Sequence, residues 1–437
     1  GARMGGGVCR ADRAVVARGA ASRFAAGVLM GTGLAFNVGE AGGSASLVGA
    51  VTTAYFLGMM LLSPFWGAVA DVTGRRRAVL VVTGIAATLA VLPLLVVPGI
   101  DTTVTLGPVS ISGVYLPIGV RGLYAVFAVG FSPVMLTVAS ARGGDEGRGR
   151  SLGFFNSARA VGFTGGQLAV GFLLGVLAPA GLYLVFAGAS LGMTVAAAFV
   201  ADPTPTPEET PSLGAVLAEV RRRLLPAAAD RRHFSRNGLG WLYVALALRN
   251  TTVIGVMGLM PVYLPGRLGL TELQMGALLA LNPAGQVVFM LAFGRLSDRV
   301  GRKPLVVGGM GGSALFAVLA AGAAVVPGTL ARLAVGGVAF LVIAAAFSAM
   351  TTGALAFIGD VAPDDRESEL MGLRSTAKGV GGVIGPLLLG GVATLTSYEA
   401  AFAVGSGLAL VAAGLAYVAL TESRPAGDTT PTVVVDD

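Results

Sequence analysis

Long apolar stretches alternate with short polar connections along the whole chain. A helix of about 20 apolar residues crosses a hydrocarbon core roughly 30 Å thick, and many stretches reach about that length. They predict twelve transmembrane spans, which would return the chain to its starting side and place both termini on one face of a membrane. The predicted spans are 15–40, 46–70, 78–97, 120–140, 152–177, 180–200, 239–264, 273–294, 304–326, 330–358, 371–394 and 398–420.

Basic residues collect in every second connection between these spans. Those connections are 75–77, 142–150, 221–236 and 299–303. The opposite connections hold little beyond Arg121, Arg267 and Arg332. Because short loops rich in Lys and Arg remain on the cytoplasmic side, the basic loops and both termini are predicted to be cytoplasmic, in a multi-pass protein of the cell membrane.

Composition agrees with a lipid environment, since 54% of the residues are hydrophobic, 12% are charged and the mean hydropathy is +0.80. A soluble chain carries about twice that charged fraction. The net charge of +7 does not predict a nucleic-acid partner, because the basic residues form no single patch. Cys9 and His233 are the only residues of their types, so no metal site, cofactor or enzyme chemistry is predicted.

The composition changes sharply at 201–237, where prolines and acidic residues interrupt the apolar pattern. This segment is predicted to link a six-helix bundle at 1–200 to a second one at 238–422. Apolar residues at helical spacing within 213–225 predict a short amphipathic helix on the membrane surface, with a fully solvated helix as the alternative. The polar tail at 423–437 is predicted to be disordered.

The two halves of the chain repeat each other. A G-x-x-x-D-x-x-G-R motif follows the second span and recurs after the eighth at a constant offset of 227. Its members are Gly67, Asp71, Gly74 and Arg75, then Gly294, Asp298, Gly301 and Arg302. A second set of matches, including Arg159 with Lys378, has an offset of 219. Such parallel duplication is typical of transporters that alternate access around a site between the halves.

This motif, found at the same place in both halves, resembles the signature loop of the major facilitator superfamily (MFS). The resemblance covers nearly the whole chain and implies an all-α membrane protein, with twelve transmembrane helices in two pseudo-symmetric six-helix bundles. It also implies that the motif residues form a cytoplasmic gate. A merely basic loop would explain the arginines but not the repeated Asp and Gly positions. The fifth span lacks the proline of the family's antiporter signature, which argues against the drug/proton antiporter branch.

The gate chemistry follows from the residue types. The first Gly would let helices approach closely, the Asp would accept hydrogen bonds from a facing helix N-terminus, and the second Gly would permit a tight turn. Arg159 and Lys378 lie near the basic ends of their helices. They are predicted to belong to the gate, as partners of Asp71, Asp298 or Asp360.

Polar residues within the spans are candidates for a substrate site, because ionisable groups inside a membrane usually face a cavity or a partner. Arg249 and Asn250 lie near the middle of the seventh span, and Arg23 occupies the matching position of the first. Two guanidiniums predict an anionic or carboxylate-bearing ligand. The alternative is that these arginines snorkel to the membrane interface. Neutral hydrogen bonds to a ligand, or between helices, are predicted for Asn282, Gln286 and Gln167.

These features predict a monomeric secondary transporter that moves a small organic molecule across the lipid bilayer. Export is favoured because compact loops and this gate resemble those of exporters in the family. Coupling to protons or to a counter-anion is left open, because the acidic residues outside the loops lie near the membrane edges. The alternative function is a receptor or scaffold that retains the fold.

Overall fold

A computed structural model describes residues 4–96, 103–106, 109–200, 212–224, 236–363 and 367–423. The predicted tail and most of the predicted linker therefore lie outside the described residues. The helices are α1 (Met4–Glu40), α2 (Ala45–Thr73), α3 (Arg76–Leu89), α4 (Pro93–Val96), α5 (Leu116–Ala128), α6 (Phe131–Val176), α7 (Pro179–Ala198), α8 (Leu213–Leu224), α9 (Leu239–Val262), α10 (Glu272–Val300), α11 (Lys303–Gly322), α12 (Thr329–Val361), α13 (Glu367–Leu395) and α14 (Tyr398–Ala419).

Within the described part of the chain, eleven helical segments are long and apolar enough to cross a membrane. These helices confirm the all-α membrane architecture. Spans in lipid are helical because a helix satisfies its own backbone N–H and C=O groups. α1 falls outside the eleven, since Arg23, Asn37 and several glycines dilute its apolar residues, and the count of twelve stays a prediction. One departure from the all-α prediction is an antiparallel hairpin of β1 (Thr103–Leu106) and β2 (Val109–Ser112).

α6 reverses its direction. As a straight rod its 46 residues would extend about 69 Å, more than twice the thickness of the hydrocarbon core. The Ser151 hydroxyl donates a hydrogen bond of 2.6 Å to the Ala139 carbonyl, although a straight helix would hold these residues about 18 Å apart. The helix therefore folds back on itself, and its second arm is the span Gly153–Val176.

Local sequence signals fix where several helices begin and end. Ser44, Thr271 and Ser397 accept hydrogen bonds from backbone N–H groups at the starts of α2, α10 and α14, as N-capping residues do. Gly74 and Gly301 follow the ends of α2 and α10, with φ angles of 63° and 91°. Glycine adopts such angles without steric cost, so both motif loops turn tightly at these residues.

Contacts between helices define two faces of the protein. α2 and α13 run antiparallel, because the Ser46 Oγ lies 2.9 Å from the Thr394 Oγ1 and the Thr53 hydroxyl donates to the Val383 carbonyl at 3.1 Å. The motif loops after α2 and α10 contact α8 and the end of α14, respectively. We call the side with these loops the basic face and the other side the opposite face.

The two bundles meet most closely toward the opposite face. A Cβ built on Gly171 of α6 would lie 2.7 Å from the Cα of Gly276 on α10, and a Cβ on Gly49 of α2 would collide with the Pro386 carbonyl of α13. Small residues let helix backbones approach in this way. Toward the basic face, the start of the second arm of α6 and the end of α10 are largely exposed, and a Cβ built on Gly153, Gly165 or Gly294 meets no atom within 4 Å. The space between the bundles therefore opens toward the basic face.

Candidate functional site

A cluster of four cations lies in the protein interior, three of them beside the space between the bundles and Arg249 behind them within the second bundle. Arg159 lies on the second arm of α6, Arg249 on α9, and Arg374 and Lys378 one turn apart on α13. Lys378 lies within electrostatic range of the other three, and part of its surface is accessible. Because α6 belongs to the first bundle and α13 to the second, these cations, which we call the cavity cluster, bridge both halves.

The cavity cluster has no acidic counterpart among the described residues. The ion pairs within the described ranges join other residues, at the motif loops, within α8 and at the opposite face. Like charges that share a poorly solvated site repel one another. An anion that entered the opening would relieve this repulsion, so the arrangement is suited to binding a carboxylate, sulfonate or phosphate group.

Arg249 is buried inside the second bundle, with 1% of its surface exposed. Its Nε donates to the Ser313 hydroxyl at 2.8 Å, and its Nη1 donates to the Asn250 side-chain oxygen at 3.4 Å. Its Nη2 has no hydrogen-bond partner within the described residues. The guanidinium therefore does not reach the membrane interface, while direct contact of Arg249 and Asn250 with a ligand stays a prediction.

Arg23 is buried in the first bundle, with 2% exposed. Its Nε donates to the Ala128 carbonyl at 3.0 Å, and its Nη2 lies 3.4 Å from the Tyr55 hydroxyl. Arg23 and Arg249 thus occupy similar positions, each held by groups of its own bundle. The structure does not bring the two guanidiniums together.

Arg121 lies inside α5, so its interpretation as a loop residue is wrong. Only 5% of its surface is exposed, and its guanidinium carbon lies 4.4 Å from the centroid of the Tyr55 ring and 5.7 Å from that of Tyr124. The apolar residues before it extend the fourth span back to Gly113. These preceding apolar residues were the sequence signal that Arg121 lies within a span. Its burial, however, depends on the rings of Tyr55 and Tyr124, which come from two helices.

The three amide candidates are half-buried and bonded to protein groups. Gln286 donates to the Asn282 side-chain oxygen at 2.8 Å along α10, and the Thr32 hydroxyl donates to the Gln167 side-chain oxygen at 3.2 Å between α1 and α6. Gln167 therefore makes the interhelical hydrogen bond that the sequence allowed as an alternative. Ligand contact by the three amides stays a prediction.

The first motif loop is tied to the linker helix α8. Asp71 accepts hydrogen bonds from Arg76 at 3.0 Å and from Arg223 at 2.8 Å. A Cβ on Gly67 would lie 2.8 Å from the Arg223 Nη1. Gly67 therefore makes room chiefly for the linker arginine, and the nearest atom of a neighbouring transmembrane helix is the Pro133 Cβ of α6 at 3.8 Å.

The second motif loop is tied to the ends of α12 and α14. Arg302 pairs with Asp298 and with Asp360, both at 3.1 Å, and its backbone N–H donates to the Glu422 carboxylate at 2.9 Å. No atom lies within 4 Å of a Cβ built on Gly294. Among the described residues, the predicted close helix approach at the first motif glycine is therefore absent from this loop.

The two loops differ in which arginine pairs with the motif aspartate. Asp71 pairs with Arg76, whereas Asp298 pairs with Arg302. Arg302 aligns with Arg75, which is exposed. The repeat therefore predicted the position of each aspartate but not its partner.

The predicted pairing of Arg159 and Lys378 with acidic gate residues is wrong for this structure. Asp71, Asp298 and Asp360 bind other arginines, and Arg159 instead lies 5.9 Å from the rings of Phe24 and Phe163. The positions of Arg159 and Lys378 near the basic ends of their helices suggested that they belong to the gate. The opening between the bundles extends to those helix ends, so residues there can face the opening and not the motif loops.

We expect Arg223→Gln to loosen α8 from α2, because it removes the 2.8 Å ion pair with Asp71. Glu219, whose pKa is lowered by hydrogen bonds from Arg222 and Arg223, would lose one of these contacts too. Hydrogen exchange of residues 213–224 should accelerate at least threefold. Arg221→Gln removes an exposed charge from the same helix and should leave the exchange rate unchanged; equal acceleration in both variants would contradict this role for Arg223.

The duplicated bundles, the motif loops and the cation-lined opening define a polytopic membrane protein of the two-bundle transporter architecture. The model of the Major Facilitator Superfamily matches residues 19–281 and 242–433. The chain therefore belongs to the Major Facilitator Superfamily and is a multi-pass membrane protein.

Similarity to curated proteins is confined to short stretches. The chain is 37% identical to the inner membrane transport protein YajR of Escherichia coli over 84 residues, which cover 19% of this chain and 18% of that protein. It is 34% identical to the class E tetracycline resistance protein of Escherichia coli over 128 residues, or 29% of each chain. The chain thus aligns with less than a third of the length of these relatives.

Solved structures support the fold over nearly the full length. The nucleoside transporter NupG superposes with a TM-score of 0.71 at 13% identity, covering 93% of this chain and 98% of that chain. At such low identity the similarity shows the fold alone.

Proposed function

We propose that the chain is a secondary transporter that exports a small anionic organic molecule across the cytoplasmic membrane by alternating access. The cavity cluster of Arg159, Arg249, Arg374 and Lys378 carries the proposal. Guanidinium groups bind carboxylates through paired hydrogen bonds, and an ammonium adds a mobile point charge. Because both bundles contribute cations, a bound anion would draw the two halves together.

The distribution of basic loops favours assigning the basic face to the cytoplasm, with both termini on that side. The opening would then load from the cytoplasm, as export requires. The complementary state would bring the start of the second arm of α6 toward the end of α10 and separate the opposite-face contacts. We further propose that the ion pairs Asp71–Arg223 and Arg302–Asp360 break and re-form as the motif loops act as a gate.

A membrane protein that lowers the cytoplasmic concentration of a compound confers resistance to it, so the similarity to a tetracycline resistance protein favours export. The aspartates of the motif loops lie at the basic face, paired with arginines and outside the cavity cluster, so we favour exchange against a counter-anion over coupling to protons. The cavity cluster lies within a single chain, which supports a monomer as the transport unit.

Thermal melting of the detergent-purified protein tests the anionic substrate class. A ligand that binds only the folded state raises the melting temperature, so some di- or tricarboxylates, sulfonates or organic phosphates should stabilise the wild type. Neutral sugars and quaternary ammonium compounds should not. Lys378→Gln should raise the apparent Kd of a stabilising anion at least tenfold, because it removes the exposed cation of the cavity cluster.

Arg221→Gln is the matched control, since it also removes one positive charge but lies on α8, outside the cavity cluster. It should bind the anion as the wild type does. Equal weakening in both variants, or stabilisation by cations alone, would contradict the proposal. The stabilising anion should then cross the membrane of reconstituted vesicles; binding without flux would favour a receptor or scaffold.

A further inference from the structure

A second group of cations lies within the first bundle, apart from the cavity cluster. Arg23 and Arg121 both approach the rings of Tyr55 and Tyr124. The Arg23 guanidinium carbon is 5.6 Å from the Tyr124 centroid, and that of Arg121 is 4.4 Å from the Tyr55 centroid. Because the two arginines share the same two rings, they lie side by side. We call these four residues the N-bundle cluster.

The charges of the N-bundle cluster are not balanced by the described residues. No described carboxylate forms an ion pair with Arg23 or Arg121, although both are almost fully buried. The Nε and Nη1 of Arg121 and the hydroxyl of Tyr124 have no hydrogen-bond partner within the described ranges. Buried charged donors without an acceptor are strongly unfavourable, so these atoms call for an acceptor that the chain does not supply there.

Two glycines of α1 face the guanidiniums. A Cβ on Gly27 would lie 2.7 Å from the Arg23 Nη1, and a Cβ on Gly31 would lie 3.0 Å from the Arg121 Nη2. Gly27 and Gly31 are one turn apart, so α1 presents a bare strip of backbone at both positions. The helix therefore makes room for the two side chains without providing an acidic partner.

We propose that the N-bundle cluster binds a small monovalent anion, with chloride as the simplest case. The unpartnered atoms of Arg121 and Tyr124 are enclosed by protein, so the Arg121 side chain would shift to admit the anion. Both residues would then donate to it, and the neighbouring Arg23 would add a second positive charge. A large organic anion would not fit beside α1, because the guanidiniums already pack close to its backbone. Tyr55 is half-buried and would lie on the route by which the anion passes from the opening between the bundles to the N-bundle cluster.

Melting curves at constant ionic strength and pH test this site. Sodium chloride, bromide and formate are compared with sodium gluconate, whose anion is too large for the cluster. Chloride should raise the melting temperature of the wild type saturably, and Arg121→Gln should abolish the rise. A bromide response parallel to that of chloride would assign the site to halides, and a formate response would extend it to small carboxylates; both support the proposal.

Tyr124→Phe provides a variant with a milder effect on folding. If no anion binds, removal of a buried hydroxyl without a partner should stabilise the protein in every salt. If an anion accepts a hydrogen bond from Tyr124, the variant should lose stability in chloride relative to gluconate, and its apparent chloride Kd should rise at least threefold. Tyr417→Phe changes an exposed tyrosine and serves as the matched control.

Equal wild-type melting temperatures in all salts would overturn the proposal, as would an unchanged chloride response in both Arg121→Gln and Tyr124→Phe. The Lys378→Gln variant should keep the chloride response, because Lys378 lies on α13 outside the N-bundle cluster. The chloride response and the organic-anion response thus depend on different residues. If the chloride response is absent, the proposal for the organic anion can still be tested, and the reverse also holds.

Discussion

Oxidation of the double variant Ser46→Cys, Thr394→Cys is expected to reduce transport at least tenfold, and reduction of the disulfide is expected to restore it. The native hydroxyl oxygens lie 2.9 Å apart, at the start of α2 and the end of α13. Two sulfurs at these positions can reach the bond length of about 2.05 Å with little backbone movement. Because alternating access must separate the bundles at the opposite face, the disulfide would hold the protein in the state described here.

The measurement is flux of the stabilising anion in reconstituted vesicles, before and after addition of a reductant. Cys9→Ser in the background prevents other pairings. A matched disulfide within one bundle is available at Thr88→Cys, Ser190→Cys, where the native oxygens are 3.1 Å apart. That crosslink should leave transport nearly unchanged if each bundle moves as a unit. Similar inhibition by both crosslinks, or by neither, would contradict motion of the two bundles against each other.

The helical architecture could be predicted from sequence because lipid leaves the backbone few alternatives. Apolar runs of sufficient length must be helical, and the start of α9 and the second arm of α6 agree with the predicted spans to within a residue or two. The departures occur where this constraint is absent. The hairpin Thr103–Ser112 lies between two spans, and residues 141–151, predicted as a loop, are helical although the chain reverses there as the spans require.

The candidate site was only partly predictable, because a sequence gives the depth of a residue along its helix but not the neighbours it meets. Arg159 and Lys378 were found through the repeat, yet their surroundings depend on how far the bundles separate. Arg121 lies at the start of the predicted span 120–140, and the ends of spans are where interfacial arginines occur. Only the packing of Tyr55 and Tyr124 distinguishes a buried charge from a loop charge.

Gly171→Val is expected to slow formation of the 46–394 disulfide at least tenfold, by opposing closure of the opposite face. The new Cβ would lie 2.6 Å from the Glu272 carbonyl oxygen and 2.7 Å from the Gly276 Cα. Both are backbone atoms, which cannot rotate away, so α6 and α10 must move apart. Overpacking costs about 1–3 kcal/mol, and about 1.4 kcal/mol already changes a population tenfold.

Gly165→Val is the matched control on the same arm of α6, because no atom lies within 4 Å of its Cβ position. It makes the same change in helix propensity without the collision, so its oxidation rate should match that of the parent. The crosslink joins α2 to α13, whereas Gly171 lies between α6 and α10. A slower rate in Gly171→Val alone would therefore mean that both contacts close together as one rigid-body movement. An unchanged rate would mean that the two pairs of helices close independently, and that the glycine contact does not control access from the opposite face.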